Sequence, residues 1–175
     1  TNDKENKLKA LDYLKMAADQ GNVESMMKYA EILYESDCNC DKDEALQYYK
    51  KAADKNNTWA MLLYGIYVNK LNTNKNEGNM YIKMSADQGN SNALLEYGCI
   101  LYNGDGVLTD KAEAARYYKL SSDKGNFYAS LSYGMMLLNG DGIEENKEEA
   151  AKYIKIAADN GEINSMNIYG SMCLN

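Results

Sequence analysis

The sequence predicts an all-α protein, an α/α superhelix in which antiparallel helical hairpins stack into a right-handed solenoid. Three observations lead to this fold class: five similar copies of one segment, helical spacing of the positions they share, and 175 residues without a proline. Repetition with a period of roughly 20–50 residues is typical of solenoids, because one hairpin cannot bury its apolar face alone and packs on its neighbours.

The repeat is defined by an aspartate that follows two small residues. This anchor recurs with spacings of 35, 33, 36 and 36 residues, at Asp19, Asp54, Asp87, Asp123 and Asp159. A tyrosine stands six residues before each anchor, and another stands ten residues after it. Two residues after the anchor comes a residue type that tolerates a left-handed helix end. These residues are Gly21, Asn56, Gly89, Gly125 and Gly161.

Within each copy the shared positions lie three, four and seven residues apart, which is the period of one helix face and not of a strand. In the third copy this spacing predicts one helix over about residues 90–102 and a second over about residues 109–124. Thr109 or Asp110 is placed to cap the second helix, and Glu113 is placed to complete a capping box.

We expect one solenoid domain over residues 1–175. Its segments are a terminal helix (1–21), four complete hairpins (22–56, 57–89, 90–125 and 126–161) and the first helix of a further repeat (162–175). Small residues at fixed positions let helix axes approach closely, and Tyr97, Tyr117 and Tyr118 are expected to fill the gaps between adjacent hairpins.

The composition argues against several classes of function. A net charge of −7 comes without the clustered basic residues on which nucleic-acid binding rests. No apolar stretch approaches the roughly 20 residues that span a bilayer, so membrane insertion is not expected. The chain has no histidine and no phosphate-binding glycine loop. We therefore expect a protein that is not an enzyme and that uses no cofactor.

Two Asn-Gly-Asp-Gly segments, 103–106 and 139–142, invite comparison with calcium-binding loops. Such a loop needs oxygen ligands at alternating positions and a bidentate glutamate at its twelfth position. Neither segment supplies that set, so both are interpreted as turns, and no metal site is expected.

The four cysteines, Cys38, Cys40, Cys99 and Cys173, form no CxxC pair and do not repeat with the unit. Free thiols are the expectation, with disulfides as the alternative. Cysteines that do not repeat favour a cytoplasmic location. Targeting segments can lie outside the given sequence, so the compartment stays open.

The repeat resembles a known family at positions that can be named one by one. The third copy carries Ala93, Tyr97-Gly98, Gly104-Asp105-Gly106-Val107, Ala114, Tyr117-Tyr118-Lys119 and Gly125, and the fourth copy follows the same pattern. This pattern resembles the Sel-one-like repeats (SLR), relatives of the tetratricopeptide repeats, over nearly the whole chain. The first two copies keep the helices but lack the GxG loop. The resemblance implies a solenoid that acts as an adaptor for proteins or peptides.

The resemblance also implies where a partner would bind. In the tetratricopeptide fold the first helix of each hairpin lines the concave face, and its inward positions are counted from the glycine of the Tyr-Gly pair. Carried onto this sequence, the partner-binding positions are Glu31, Tyr34, Trp59, Leu62, Ile66, Asn69, Asn92, Leu95, Cys99, Tyr102, Tyr128, Leu131, Met135 and Leu138. Apolar and aromatic residues with interspersed asparagines favour a peptide-binding groove. We expect a non-catalytic scaffold that binds a peptide or partner protein through this face.

Two alternatives stay open. The apolar residues of that face can instead pack between neighbouring first helices, where superhelix curvature would bury them. The chain can also be a structural spacer or a self-associating module of a larger protein. Self-association would then use the terminal helices, through residues such as Leu11, Leu14 and Ile168.

Overall fold

A computed structural model describes residues 2–35, 39–72 and 74–174 of the chain. These ranges form ten α-helices and contain no strand, as the sequence predicts. The helices are α1 (Asn2–Asp19), α2 (Val23–Tyr34), α3 (Asn39–Asp54), α4 (Thr58–Lys70), α5 (Lys75–Asp87), α6 (Ser91–Asn103), α7 (Lys111–Asp123), α8 (Phe127–Asn139), α9 (Lys147–Asp159) and α10 (Ile163–Cys173).

The chain divides into two compact units, unit 1 (residues 1–84) and unit 2 (residues 85–175). In unit 1, α1 packs against α2, α2 against α3 and α3 against α4, and Gly65 of α4 faces Gly78 and Ile82 of α5. In unit 2, helices α6 to α10 pack in the same consecutive manner. Even-numbered helices are the first helices of the hairpins, and odd-numbered helices are the second helices.

The turn after each second helix is built in the same way five times. The residue two positions after the anchor aspartate has a positive φ, between 67° and 94°. These residues are Gly21, Asn56, Gly89, Gly125 and Gly161. The left-handed residues predicted from the repeat are therefore confirmed. An asparagine then caps four of the first helices by accepting a backbone N–H at 2.8–3.2 Å. These caps are Asn22, Asn57, Asn90 and Asn126.

Glycines bring the two helices of a hairpin into close contact. A Cβ atom on Gly98 would lie 2.7 Å from ring atoms of Tyr118, and one on Gly134 would lie 2.7 Å from the side chain of Ile154. A Cβ atom on Gly65 would lie 2.5 Å from a backbone carbonyl oxygen of the facing helix. The approach of the helices depends on the missing side chain at these positions.

The two repeat tyrosines meet edge to face across all four hairpins. Their ring centroids are 4.7–4.9 Å apart, in the pairs Tyr29–Tyr48, Tyr64–Tyr81, Tyr97–Tyr117 and Tyr133–Tyr153. This geometry sets the positive edge of one ring against the negative face of the other. Tyr97 and Tyr117 pair within one hairpin, and the Tyr117 hydroxyl also reaches Asp87 of the preceding hairpin at 3.5 Å.

The loop from α6 to α7 begins at Gly104, which ends α6 in the left-handed conformation with φ of 72°. Asp110, not Thr109, caps α7, since its side chain accepts the backbone N–H of Glu113 at 2.9 Å. The carboxylate of Glu113 accepts two hydrogen bonds from Arg116 at 2.6 and 2.9 Å.

Of the cysteines, Cys99 and Cys173 are free thiols. Cys38 lies outside the described residues.

Candidate protein-interaction surfaces

Each unit places part of the predicted partner-binding set on its first helices. Unit 1 carries Glu31 and Tyr34 on α2, and Trp59, Leu62, Ile66 and Asn69 on α4. Unit 2 carries Asn92, Leu95, Cys99 and Tyr102 on α6, and Tyr128, Leu131, Met135 and Leu138 on α8. Burial and neighbours decide which of these side chains a partner can reach.

A cleft of about 320 Å³ opens where α6, α7 and α8 meet in unit 2. It is lined by Tyr102, Tyr118, Leu131, Ser132, Met135, Met136, Asn139 and Asp141, and we name it the unit-2 cleft. Tyr102, Leu131 and Met135 belong to the predicted set and are brought together here. All three are half-buried, so they present apolar surface that a side chain of a partner can cover.

Asp141 fixes one wall of the unit-2 cleft. Its carboxylate accepts a hydrogen bond from the Tyr102 hydroxyl at 2.6 Å and another from the Lys111 ammonium group at 2.6 Å. The bond from Lys111, followed by that from Tyr102, lowers the pKa of Asp141. The bond to Asp141 raises the pKa of Tyr102. Tyr102 is therefore a neutral residue whose hydroxyl is engaged and whose ring forms the cleft wall.

Glu96 of α6 lies near Cys99 and near Tyr118, which lines the unit-2 cleft, and its negative charge helps to raise the pKa of both. Burial raises the pKa of Glu96 itself, and within the described part of the chain no hydrogen bond or ion pair holds its carboxylate. A half-buried carboxylate without a partner destabilises a fold, and such groups are common at binding sites.

Cys99 contributes packing surface and not reactivity. The Tyr118 hydroxyl donates a hydrogen bond to the Cys99 sulfur at 3.4 Å, so Tyr118 connects this thiol to the unit-2 cleft. Burial raises the pKa of Cys99, which keeps the thiol protonated and inert. Leu95, one turn earlier on α6, is half-buried on the same helix.

The other predicted residues of unit 2 lie apart from the unit-2 cleft. The side-chain oxygen of Asn92 accepts a hydrogen bond from the Asn126 amide at 3.0 Å. Tyr128 is 57% exposed, and its ring centroid lies 4.2 Å from that of Phe127. Leu138 lines a shallow depression together with residues of α10.

In unit 1 an aromatic ring occupies the position that corresponds to the unit-2 cleft. The ring of Tyr67 stacks on Tyr34 with centroids 3.7 Å apart and lies 5.5 Å from the ring of Tyr49. Counted from the repeat anchors, Tyr34 corresponds to Tyr102 in unit 2 and Tyr49 to Tyr118. Tyr67 corresponds to Met136. A ring therefore occupies the junction of three helices in unit 1, and a methionine lines the cleft at that position in unit 2.

The remaining predicted residues of unit 1 differ in exposure. Leu62 is only 2% exposed, so it packs internally and offers a partner no surface, as the packing alternative anticipates. Ile66 and Asn69 are half-buried, and the Asn69 amide donates a hydrogen bond to Asn79 at 2.8 Å. Trp59 is 45% exposed and Glu31 is exposed, which leaves both open to contact.

Sequence reasoning missed Glu96, Tyr118, Met136 and Asp141. For Met136 a signal exists, because the position thirteen residues after the anchor is Tyr67 in the second repeat and methionine in the fourth. Loss of a ring opposite two tyrosines predicts free space. No comparable signal marks Glu96, since its burial is set by helices that are distant in sequence.

Residues 2–35, 39–72 and 74–174 present neither a membrane-spanning helix nor a cluster of metal ligands. Among the helices of these ranges, none combines the length and the hydropathy needed to cross a membrane. The described side chains also contain no group of three acidic, cysteine or histidine residues placed to hold a metal ion. In the two Asn-Gly-Asp-Gly segments the glycines have positive φ, as expected for turns.

An all-α chain of repeated hairpins with partly apolar first helices belongs to the class of helical-repeat proteins. A family model described as Sel1 repeat matches residues 3–22, 23–57, 60–90, 91–126 and 128–162. The chain belongs to the Sel1 repeat family, and the resemblance stated above is confirmed. Proteins of this family are in general non-catalytic scaffolds that mediate protein interactions.

Solved structures support the same fold. A Sel1 repeat protein from Oxalobacter formigenes is 28% identical with a TM-score of 0.82, over 94% of this chain and 69% of that chain. A protective antigen of uropathogenic Escherichia coli with an SLR fold is 25% identical with a TM-score of 0.86, over 93% of this chain and 36% of that chain. Helicobacter pylori cysteine rich protein B is 26% identical with a TM-score of 0.60, over 73% of this chain and 95% of that chain. A search of curated proteins gave no match.

Proposed function

We propose that the protein is a non-catalytic scaffold that binds a peptide or a segment of a partner protein on its first helices. The observation that carries this proposal is the apolar unit-2 cleft together with the half-buried carboxylate of Glu96, which has no described partner and acts on the cleft residue Tyr118. A cationic group of the partner that pairs with Glu96 would offset the unfavourable burial of the carboxylate charge. Binding would therefore be favoured, because the unbound protein leaves this carboxylate unpaired.

The chemistry of this surface indicates the kind of segment that fits. Asp141 is already paired with Lys111 and Tyr102, which leaves Glu96 as the acidic group for a lysine or arginine of the partner. An apolar or aromatic residue beside that basic residue would cover the walls of the unit-2 cleft. The net charge of −7 favours the approach of a basic segment.

Each unit carries further residues of the proposed contact set. In unit 1 this set consists of Glu31, Tyr34, Trp59, Ile66 and Asn69, with Trp59 as its aromatic anchor. In unit 2 it includes Asn92, Leu95, Cys99, Tyr128 and Leu138 besides the residues of the unit-2 cleft. Binding of this kind requires no catalytic group, no cofactor, no metal and no nucleic acid.

Selection of peptides from a random library on the immobilised protein tests this function. Enriched peptides should carry a lysine or arginine next to an apolar residue. Their affinity should fall about tenfold or more in Glu96→Gln and in Leu131→Glu, since each removes one half of the proposed contact. Glu144→Gln, at an exposed glutamate of the loop before α9, is the matched control and should bind like the wild type.

Two results would contradict the proposal: no peptide enriched above background, or enriched peptides whose affinity is the same for the wild type, Glu96→Gln and Leu131→Glu. Trp59→Ala reports on unit 1 separately. A loss of affinity for long peptides but not for short ones would assign Trp59 to an extended contact.

A further inference from the structure

The junction of α2, α3 and α4 in unit 1 shows what occupies such a place when it is filled. The ring of Tyr67 on α4 stacks on Tyr34 of α2 with centroids 3.7 Å apart. The same ring lies 5.5 Å from the ring of Tyr49 on α3. The occupant of this junction is therefore an aromatic ring that contacts two other tyrosine rings.

The unit-2 cleft has tyrosines at the same two wall positions but lacks the third ring. Tyr102 on α6 and Tyr118 on α7 line the cleft. On α8, Met136 stands at the position of Tyr67, and Ser132 stands at the position of Leu63. Both exchanges remove a bulkier side chain from the junction. The cleft of about 320 Å³ is large enough to hold one aromatic side chain of a partner.

Two methionines give the cleft a preference for aromatic over aliphatic side chains. Met135 and Met136 both line it. A thioether makes favourable contacts with aromatic rings, and its unbranched side chain adapts to the shape of the group that it touches. An aliphatic side chain would gain the burial of apolar area but not the sulfur–ring and ring–ring contacts.

The Tyr102 wall is held in place before any partner arrives. Its hydroxyl donates a hydrogen bond to Asp141 at 2.6 Å, and the Lys111 ammonium group lies 4.9 Å from the centroid of its ring. A side chain fixed by two contacts loses little conformational freedom on binding. The wall is therefore organised in advance for a ring that packs against it.

We propose that the partner segment inserts an aromatic side chain into the unit-2 cleft, with its ring in the place that Tyr67 takes in unit 1. This inference rests on the proposed function and narrows the inserted residue from apolar to aromatic. Glu96 acts on the cleft residue Tyr118, and its charge complements a lysine or arginine next to the inserted ring. The recognised element is an aromatic residue with a basic neighbour.

Two small probes of nearly equal size test the ring site without a peptide. They are p-cresol, which carries the ring and hydroxyl of a tyrosine side chain, and 4-methylcyclohexanol, its saturated equivalent. On protein labelled at the methionine methyl groups, p-cresol should cause saturable NMR shifts of Met135 and Met136. The saturated probe should bind about threefold or more weakly, because it lacks the aromatic contacts.

Reciprocal variants locate the site. Met136→Tyr gives unit 2 the residue that unit 1 has at this position, so it should fill the cleft and lower the affinity for p-cresol about tenfold or more. Met80→Tyr, at a methionine of α5 that is 50% exposed, is the matched control and should bind like the wild type. Tyr67→Ala should open an equivalent site in unit 1, so p-cresol should raise its melting temperature more than that of the wild type. Circular dichroism verifies that each variant is folded.

Equal affinity of the two probes would overturn the inference, and so would equal p-cresol affinity of the wild type and Met136→Tyr. The library selection separates this failure from that of the proposed function. Enriched peptides with leucine or valine beside the basic residue, whose affinity falls in Glu96→Gln, would overturn the aromatic inference and leave the proposed function in place. Absence of any enriched peptide would contradict the proposed function, whereas p-cresol binding reports on the ring site alone.

Discussion

Unit 1 and unit 2 build the same kind of three-helix junction from partly different residues, and the outcome differs. In unit 1, Tyr67 stacks on Tyr34, and Leu62 on the same helix is buried. In unit 2, Met136 takes the position of Tyr67, a cleft opens, and Leu131 at the position of Leu62 is half-buried. Positions that define the repeat keep the helices in place, and the side chains at variable positions, Tyr67 and Met136 among them, distinguish a sealed junction from an open one.

The largest effect on this comparison is expected at Gly98, which sets the distance between α6 and the cleft wall. A Cβ atom there would lie 2.7 Å from ring atoms of Tyr118, whose ring is buried. Gly98→Ala should lower the free energy of unfolding by about 1–3 kcal/mol. Thermal unfolding measures this loss. Gly170→Ala is the control, because a Cβ atom on Gly170 meets nothing within 4 Å, and an equal loss in both would contradict the explanation.

A smaller loss is expected when the sealed junction of unit 1 is given the residue of unit 2. Tyr67→Met removes the stacking with Tyr34, which lies at 3.7 Å between centroids. An aromatic pair contributes about 0.5–1.5 kcal/mol beyond its area, so the melting temperature should fall by about 2–4 °C. Tyr13→Met, at a tyrosine that is 73% exposed, should leave the melting temperature unchanged. If Tyr67→Met melts like the wild type, the ring does not seal the junction.

Glu96 should affect stability only in one range of pH. Burial raises the pKa of Glu96 above its ordinary value of 4.5, so the charged form is disfavoured in the folded state. The stabilising contribution of the protonated form is complete below the unfolded pKa and is lost as pH rises through the folded pKa. Glu96→Gln should therefore melt about 1–2 °C higher than the wild type near neutral pH, and this advantage should vanish in acid.

Thermal melts of the wild type and Glu96→Gln over a range of pH measure this difference. Glu144→Gln, at an exposed glutamate, controls for the loss of one negative charge. A constant difference across the range would mean that Glu96 acts by packing and not by charge.

The smallest effect is expected at Asp141, on the exposed side of the unit-2 cleft. Asp141→Asn removes the charge that accepts the hydroxyl of Tyr102 and raises its pKa. Tyr102 should then ionise at lower pH, and the melting temperature should change little, because exposed ion pairs contribute little to stability. Difference absorbance of the phenolate during a pH titration measures the shift. The same difference in a Tyr102→Phe background would assign the signal to another tyrosine.

The repeat and its helices could be predicted from the sequence, because the residues that define them are close in sequence or recur at a fixed distance from the anchor. Asn56 and the four turn glycines were predicted from their distance to the anchor, and the helix spacing follows from the tyrosine pattern. Leu62 and Leu131 occupy one register position and differ in burial, since their exposure depends on Tyr67 or Met136 one turn further along the helix and on tyrosines of other helices. Such exposure arises only when three helices meet, so the candidate surface was predicted only in part.

The tyrosine pairs across the hairpins also bear on how the chain folds. Paired tyrosines are separated by only 17 to 20 residues, as in Tyr64–Tyr81 and Tyr97–Tyr117. Contacts this local give a low contact order, which is associated with rapid folding, and permit nucleation at any hairpin. Hydrogen exchange should accordingly be fastest in α1 and α10 and slowest in the hairpins that have neighbours on both sides.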